Sequence, residues 1–170
     1  MKIDAIVYNS ETGSCEKYAR MISEQTGVPV YSYGQAKALD AKKVMYISWL
    51  TAGKVNGLSK AQQELPLAAV VQVGISPVDE GTEAKTRKSN KIPANTAVFC
   101  KQGGLHMNSL KPAYKLAMTA VNKGIYAMLK TKDRDKLTDQ ERALYGMVTT
   151  GEGEPASWDV SDVVAWVKGE

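Results

Sequence analysis

Ile6-Val7-Tyr8-Asn9-Ser10-Glu11-Thr12-Gly13-Ser14-Cys15-Glu16-Lys17-Tyr18-Ala19 is the stretch on which the fold turns. An apolar run ends in a short loop rich in hydroxyls, with one glycine, and the loop runs straight into a helical pattern. Cys15, Tyr18, Ala19 and Ile22 recur at the spacing of one helix face. A strand that delivers the chain to a helix start in this way makes an anion seat. Glycine lets the backbone turn, and the first N–H groups of the helix have no partner within it and point outward.

Outward from this unit, strand and helix patterns alternate, which predicts an α/β fold with a largely parallel sheet. The first strand is expected over Lys2–Tyr8 and the first helix over Ser14–Gln25, closed by Thr26-Gly27. Val28–Tyr33 and Val44–Trp49 read as the second and third strands, with a polar helix over Gly57–Glu64 between the third and fourth. Leu67–Ile75 is almost continuously apolar, as a central parallel strand covered on both faces should be. Thr96–Cys100 is the fifth. The last third is helical. Leu110–Lys130 carries Leu110, Tyr114, Ala117, Val121 and Ile125 at helical spacing and is expected to pack over the sheet. Thr131–Lys136 breaks that helix. Thr138 with Glu141 then forms a capping box for a short helix, Gly151–Pro155 is expected to be a loop, and Trp158–Lys168 a final amphipathic helix.

The chain has 170 residues and 44% hydrophobic content, enough for one domain over 1–170 with its own core. The charge balance is mild, +4 with a pI near 8.9, and does not by itself imply nucleic acid. Two cysteines, Cys15 and Cys100, make no disulfide framework, and the single His106 argues against a multi-histidine metal site or a serine–histidine triad. No apolar run suits a signal peptide or a membrane span, so the expected location is cytoplasmic.

The ends of the strands supply the candidate contacts. In the first loop Ser10, Glu11 (through its backbone), Thr12, Gly13, Ser14 and Cys15 offer neutral donors with no lysine or arginine among them. Trp49-Leu50-Thr51-Ala52-Gly53 places an aromatic beside small residues, suited to flanking a flat ring while backbone approaches its edge. Ser76 and Pro77 end the fourth strand. Gly103 and Gly104 follow the fifth and suggest close backbone approach, with His106 just beyond. Lys85, Arg87, Lys88 and Lys91 read as a solvated helix face, the sharper alternative being a surface for an anionic partner.

Tyr8, Ser10, Gly13, Ala19 and Ile22 fall where the flavodoxin family carries comparable residues, and the chain resembles that family over most of its length. The resemblance implies a doubly wound five-stranded parallel sheet in the order 2-1-3-4-5. Ligands bind such sheets beyond the carboxyl ends of the strands. It also implies FMN as cofactor, with its phosphate in the Ser10–Cys15 loop and its ring beside Trp49–Gly53, Ser76-Pro77 and Gly103-Gly104. Cys15 stands where the family usually has threonine. The Trp49–Lys54 loop, the Gly74–Pro77 turn and Phe99–Leu105 are similar to the branch containing menaquinone-dependent protoporphyrinogen oxidases. That branch implies electron transfer to a quinone or a protein partner, and contact with a membrane surface. Val78–Ile92 departs from it by being short and free of aromatics. An electron carrier, or an interaction module that has lost FMN, remains the alternative. A phosphate-receiver domain needs carboxylates at the end of the first strand, where this chain has Tyr8-Asn9-Ser10.

Overall fold

The computed structural model describes residues 2–36 and 39–170. Its strands are β1 (Ala5–Asn9), β2 (Val30–Ser32), β3 (Val44–Thr51), β4 (Lys54–Val55), β5 (Leu67–Gly74), β6 (Ala97–Gln102), β7 (Leu105–His106) and β8 (Glu152–Gly153). Its α-helices are α1 (Ser14–Thr26), α2 (Leu58–Glu64), α3 (Thr82–Asn90), α4 (Pro112–Leu129), α5 (Asp139–Thr150) and α6 (Ser161–Lys168). The main sheet runs β2-β1-β3-β5-β6, with β4 attached to β3. β1 pairs in parallel with β2 and β3, and β3 in parallel with β5. Once β4 is set aside, this is the expected 2-1-3-4-5 order of a flavodoxin-like α/β fold.

The chain divides into two compact units. The first holds the chain up to Val73, with Val78–Lys101 and Asp159–Glu170; the second holds Gly74–Pro77 and Gln102–Trp158. In the first unit one face of the sheet buries Ala5, Val7, Val44, Tyr46, Val70 and Val98 against Leu58 and Ala61 of α2. Strand alternation turns Ile6, Met45, Ile47 and Val71 to the other face. There α1 packs on β1 and β3 through Tyr18, Ala19 and Ile22, and α6 packs beside α1 with Val163, Val164 and Val167 buried. Lys101, nine-tenths buried, is held by Asp162 at 2.6 Å.

β1 begins at Ala5 rather than Lys2, and the cause is Asp4. Its carboxylate accepts the N–H groups of Lys42 and Lys43 at 3.0 Å each, and its own N–H donates to the Lys43 carbonyl at 2.8 Å, fastening the chain before β3. β6 extends to Gln102, whose side-chain amide donates to the carbonyls of Ile75 and Gln140.

In the second unit α4 packs on α5. Leu105, Leu129, Leu137, Leu144 and Met147 form the core, with Ile75, Met118 and Ile125 against it. The capping box is present: the Glu141 N–H donates to Thr138 Oγ1 and the Thr138 N–H to the Glu141 carboxylate. The expected break between the helices contains a short 3-10 turn, Arg134–Lys136. The expected loop at Gly151–Pro155 instead includes β8, which pairs antiparallel with β7 in a two-stranded ribbon. Two residues per strand are too few to leave an alternation in the sequence, so the ribbon was invisible there.

Candidate functional site

At the end of β1 the chain enters the loop between Asn9 and Ser14. Gly13 has φ +97°, in the left-handed region, and is the N-cap of α1. A glycine cap supplies no side-chain oxygen of the kind that Ser, Thr or Asp would offer the first-turn N–H groups. The loop closes on itself, because the Gly13 N–H donates to Ser10 Oγ at 3.1 Å. A Cβ on Gly13 would meet nothing within 4 Å, so the space over the helix start is open. Glu16 is the acid of this first turn, and Arg20 takes its carboxylate at 2.6 Å, which offsets negative charge next to a seat for an anion.

Cys15 does not face that seat with its thiol. The residue is buried, and burial pushes the thiol up to about 12, against the smaller opposing effect of its hydrogen bond with the Ser10 side chain, so it stays protonated. Only its backbone N–H belongs to the helix start. Tyr8, at the end of the strand, has its hydroxyl raised by burial first and by Glu16 second.

The second segment is not a loop over its whole length. Trp49, Leu50 and Thr51 continue β3, and Leu50 and Thr51 pair antiparallel with Val55 and Lys54. Ala52 and Gly53 make the turn with φ +49° and +78°, the two left-handed residues of a tight hairpin. The physical reason is tertiary. Asn90, at the end of α3, accepts the Val55 N–H at 2.8 Å and donates to the Gly53 carbonyl at 3.3 Å, and Lys54 donates to the Ser89 carbonyl. Thr51 Oγ1 is buried in this hairpin and has no hydrogen-bond partner among the described residues.

Beneath the two segments lies a polar network that sequence reading missed. Asn9 Nδ2 donates to Asn56 Oδ1 at 3.0 Å, and the Tyr46 hydroxyl donates to the Asn56 carbonyl at 2.8 Å. A Cβ on Gly57 would come within 2.8 Å of that hydroxyl. The signal available in the sequence was Asn9 at the strand end and the Asn56-Gly57 pair, which carry no periodicity of their own.

Ser76, Pro77, Gly103 and Gly104 lie in the second unit. Gly103 N–H donates to the Gly74 carbonyl at 2.7 Å, bringing these two segments together. The close approach expected at Gly104 is to the chain itself: a Cβ there would stand 2.8 Å from the Gly153 carbonyl and 3.0 Å from His106 Nε2. His106 sits between carboxylates, with Nδ1 at 3.1 Å from Glu152 and Nε2 at 3.4 Å from Glu154. The Asn108 N–H, and then His106, hold the Glu152 carboxyl below its ordinary range. Of the basic stretch on α3, Arg87 is engaged structurally: it donates to the Pro93 and Thr96 carbonyls and to Glu83.

Among the described residues no helix is long and apolar enough to cross a membrane. No family model matches the chain, and no curated protein matches it.

Proposed function

We propose that the chain is an FMN-binding, flavodoxin-type redox protein. The observation that supports this best is the Ser10–Ser14 loop. A left-handed Gly13 at the carboxyl end of a central parallel strand caps α1 over a set of neutral hydroxyls, with open space above. The residues fit a phosphate monoester. Ser10, Thr12 and Ser14 supply hydroxyls, and the backbone of Ser14 and Cys15 supplies N–H groups aligned with the positive end of the helix dipole, while the Gly13 N–H, spent on Ser10 Oγ, holds the loop in shape. The buried, unpartnered Thr51 hydroxyl in the neighbouring hairpin suits the polar edge of a flavin ring. Bound flavin would supply hydride and single-electron chemistry. The chain's own part is to hold the phosphate without a cation, to seat the ring beside the Trp49–Gly53 hairpin, and to keep that hairpin fixed through Asn90.

Electrons would pass to or from a quinone or another acceptor, as in the protoporphyrinogen oxidases that the sequence resembles. The basic balance of the chain favours this over shuttling between soluble partners. The test is a titration of the purified protein with FMN and, separately, with riboflavin, following the visible spectrum and quenching of flavin fluorescence. FMN binding at least tenfold tighter than riboflavin supports the phosphate seat. Equal affinities overturn the loop's role, and no binding of either overturns the reading.

A further inference from the structure

Among the described residues, the large hydrophobic side chains that stand exposed are Leu116 (76%), Met128 (54%), Val121 (45%) and Tyr126 (38%), and all four lie on α4. At about 100° per residue, Leu116, Ala127, Ala120, Ala113, Gly124, Ala117, Met128 and Val121 follow one another around the helix. They cover roughly 140° of its circumference. Each is exposed, and none carries a hydrogen-bonding side chain. Lys115, Lys123 and Lys130 lie on one flank of this face, Lys111 precedes the helix, and no Asp or Glu occurs from Met107 to Lys132. The helix thus has an apolar solvent face flanked by lysines, with Glu152 close enough to interact with Lys115 and no acid on the helix itself.

The same flank opens into a groove of about 540 Å³ between α4 and α5, lined by Met107, Thr119, Asn122, Lys123, Val148 and Thr149. Asn122 is 8% exposed, and its Oδ1 is buried with no partner among the described residues. The Thr119 and Thr149 hydroxyls donate to the Lys115 and Tyr145 carbonyls, so what they offer the groove is acceptor lone pairs. A ligand for this groove must donate hydrogen bonds and carry negative charge for Lys123.

We propose that α4 docks on an anionic bilayer and that the α4–α5 groove takes a hydroxyl-bearing phospholipid headgroup such as phosphatidylglycerol. Leu116, Val121 and Met128 enter the acyl boundary, and the lysine flank lies at headgroup depth with stems along the apolar surface. Glycerol hydroxyls satisfy Asn122 Oδ1, and the phosphate meets Lys123. Charge complementarity selects this occupant. A second copy would bring an equal set of lysines to the same seam, and a neutral apolar partner would leave them without counter-charges. The inference is independent of the flavin.

The full chain is sedimented with sucrose-loaded vesicles of phosphatidylcholine alone, then of phosphatidylcholine mixed with phosphatidylglycerol or with phosphatidic acid at matched surface charge. Expected are binding to the anionic vesicles only, weakening with salt, and tighter binding to phosphatidylglycerol than to phosphatidic acid. Leu116→Glu and Met128→Glu should each lower partitioning about tenfold, and Lys123→Gln about fivefold. Their unchanged melting temperatures would show that they fold. Absence of binding to anionic vesicles, or binding indifferent to Leu116→Glu, overturns the docking. So does a dimer in solution that Leu116→Glu disrupts while vesicles fail to bind. Equal affinity for the two anionic lipids overturns the headgroup seat. sn-Glycerol 3-phosphate that competes at micromolar concentration would show that the groove serves a soluble ligand, overturning the lipid assignment.

Discussion

Two residues of the site carry consequences that are testable one at a time. Cys15 is buried and its thiol is raised to about 12, so a thiol reagent at pH 8 should label it only after denaturation. Mass spectrometry of the labelled peptides checks this, and rapid labelling of Cys15 in the folded protein contradicts its placement in the core. Ala52 is a non-glycine residue at φ +49°, first in a turn whose second residue is a left-handed glycine. Asn tolerates that conformation better than Ala, and Asn-Gly is the favoured pair in such hairpins. Ala52→Asn should therefore stabilise the protein by about 1 kcal/mol, read as a rise in the denaturant midpoint at constant m-value. Both points reach beyond sequence reading. The spacing marked Cys15 as a helix-face residue near a hydroxyl loop. Which way its thiol turns depends on β1 and on Ser10, which sequence periodicity does not contain.

At the scale of elements, α5 is the best-signalled helix of the chain. Its capping box was legible as Thr138 and Glu141 at the required spacing, because capping is a local exchange of hydrogen bonds within four residues. Thr138→Ala should cost about 1 kcal/mol, measured by urea unfolding, and Thr138→Ser should restore most of it. The β7–β8 ribbon is the opposite case. Its strands are some forty-five residues apart in sequence (Leu105 opposite Gly153, His106 opposite Glu152) and are joined by contacts that no short window holds. Glu152 is fastened there by the Asn108 N–H and by His106, which depress its pKa below the ordinary 4.5. A depressed carboxyl contributes stability above its unfolded pKa and loses that contribution as pH falls through the folded value. Stability of the ribbon should thus drop below about pH 4.5. Glu152→Gln should be less stable at pH 7 and show a shallower acid limb, with amide exchange at Leu105–Asn108 as the readout. An acid limb identical to the unmodified protein would assign the loss to other carboxylates.

For the whole molecule, the alternation of strand and helix follows from patterns that a linear sequence carries well: apolar runs of strand length, an intervening helical period, and Gly27 at a helix end. Binding of FMN to the folded chain alone would stabilise it by mass action, about 2.7 kcal/mol at a free concentration of one hundred times Kd. The melting temperature should climb with the logarithm of FMN concentration, and should climb much less with riboflavin. A melting temperature independent of FMN contradicts the proposed function even where a weak spectral change is seen.

Local chemistry in the sequence determined the strand–helix alternation, the glycine-capped hydroxyl loop and the capping box, because each is made by residues within a few positions of one another. The sheet order was reached there only through the family resemblance, and the pairing of the strands bears it out. Tertiary structure alone decided the rest. It extended β3 into a hairpin pinned by Asn90, set Asn9, Tyr46 and Asn56 beneath the loop, and turned the Cys15 thiol into the core. It also left one broad apolar face of α4 exposed. The helical period shows that α4 is apolar around most of its circumference; which of those faces is covered depends on where α5 lies, and that is a property of the packed chain.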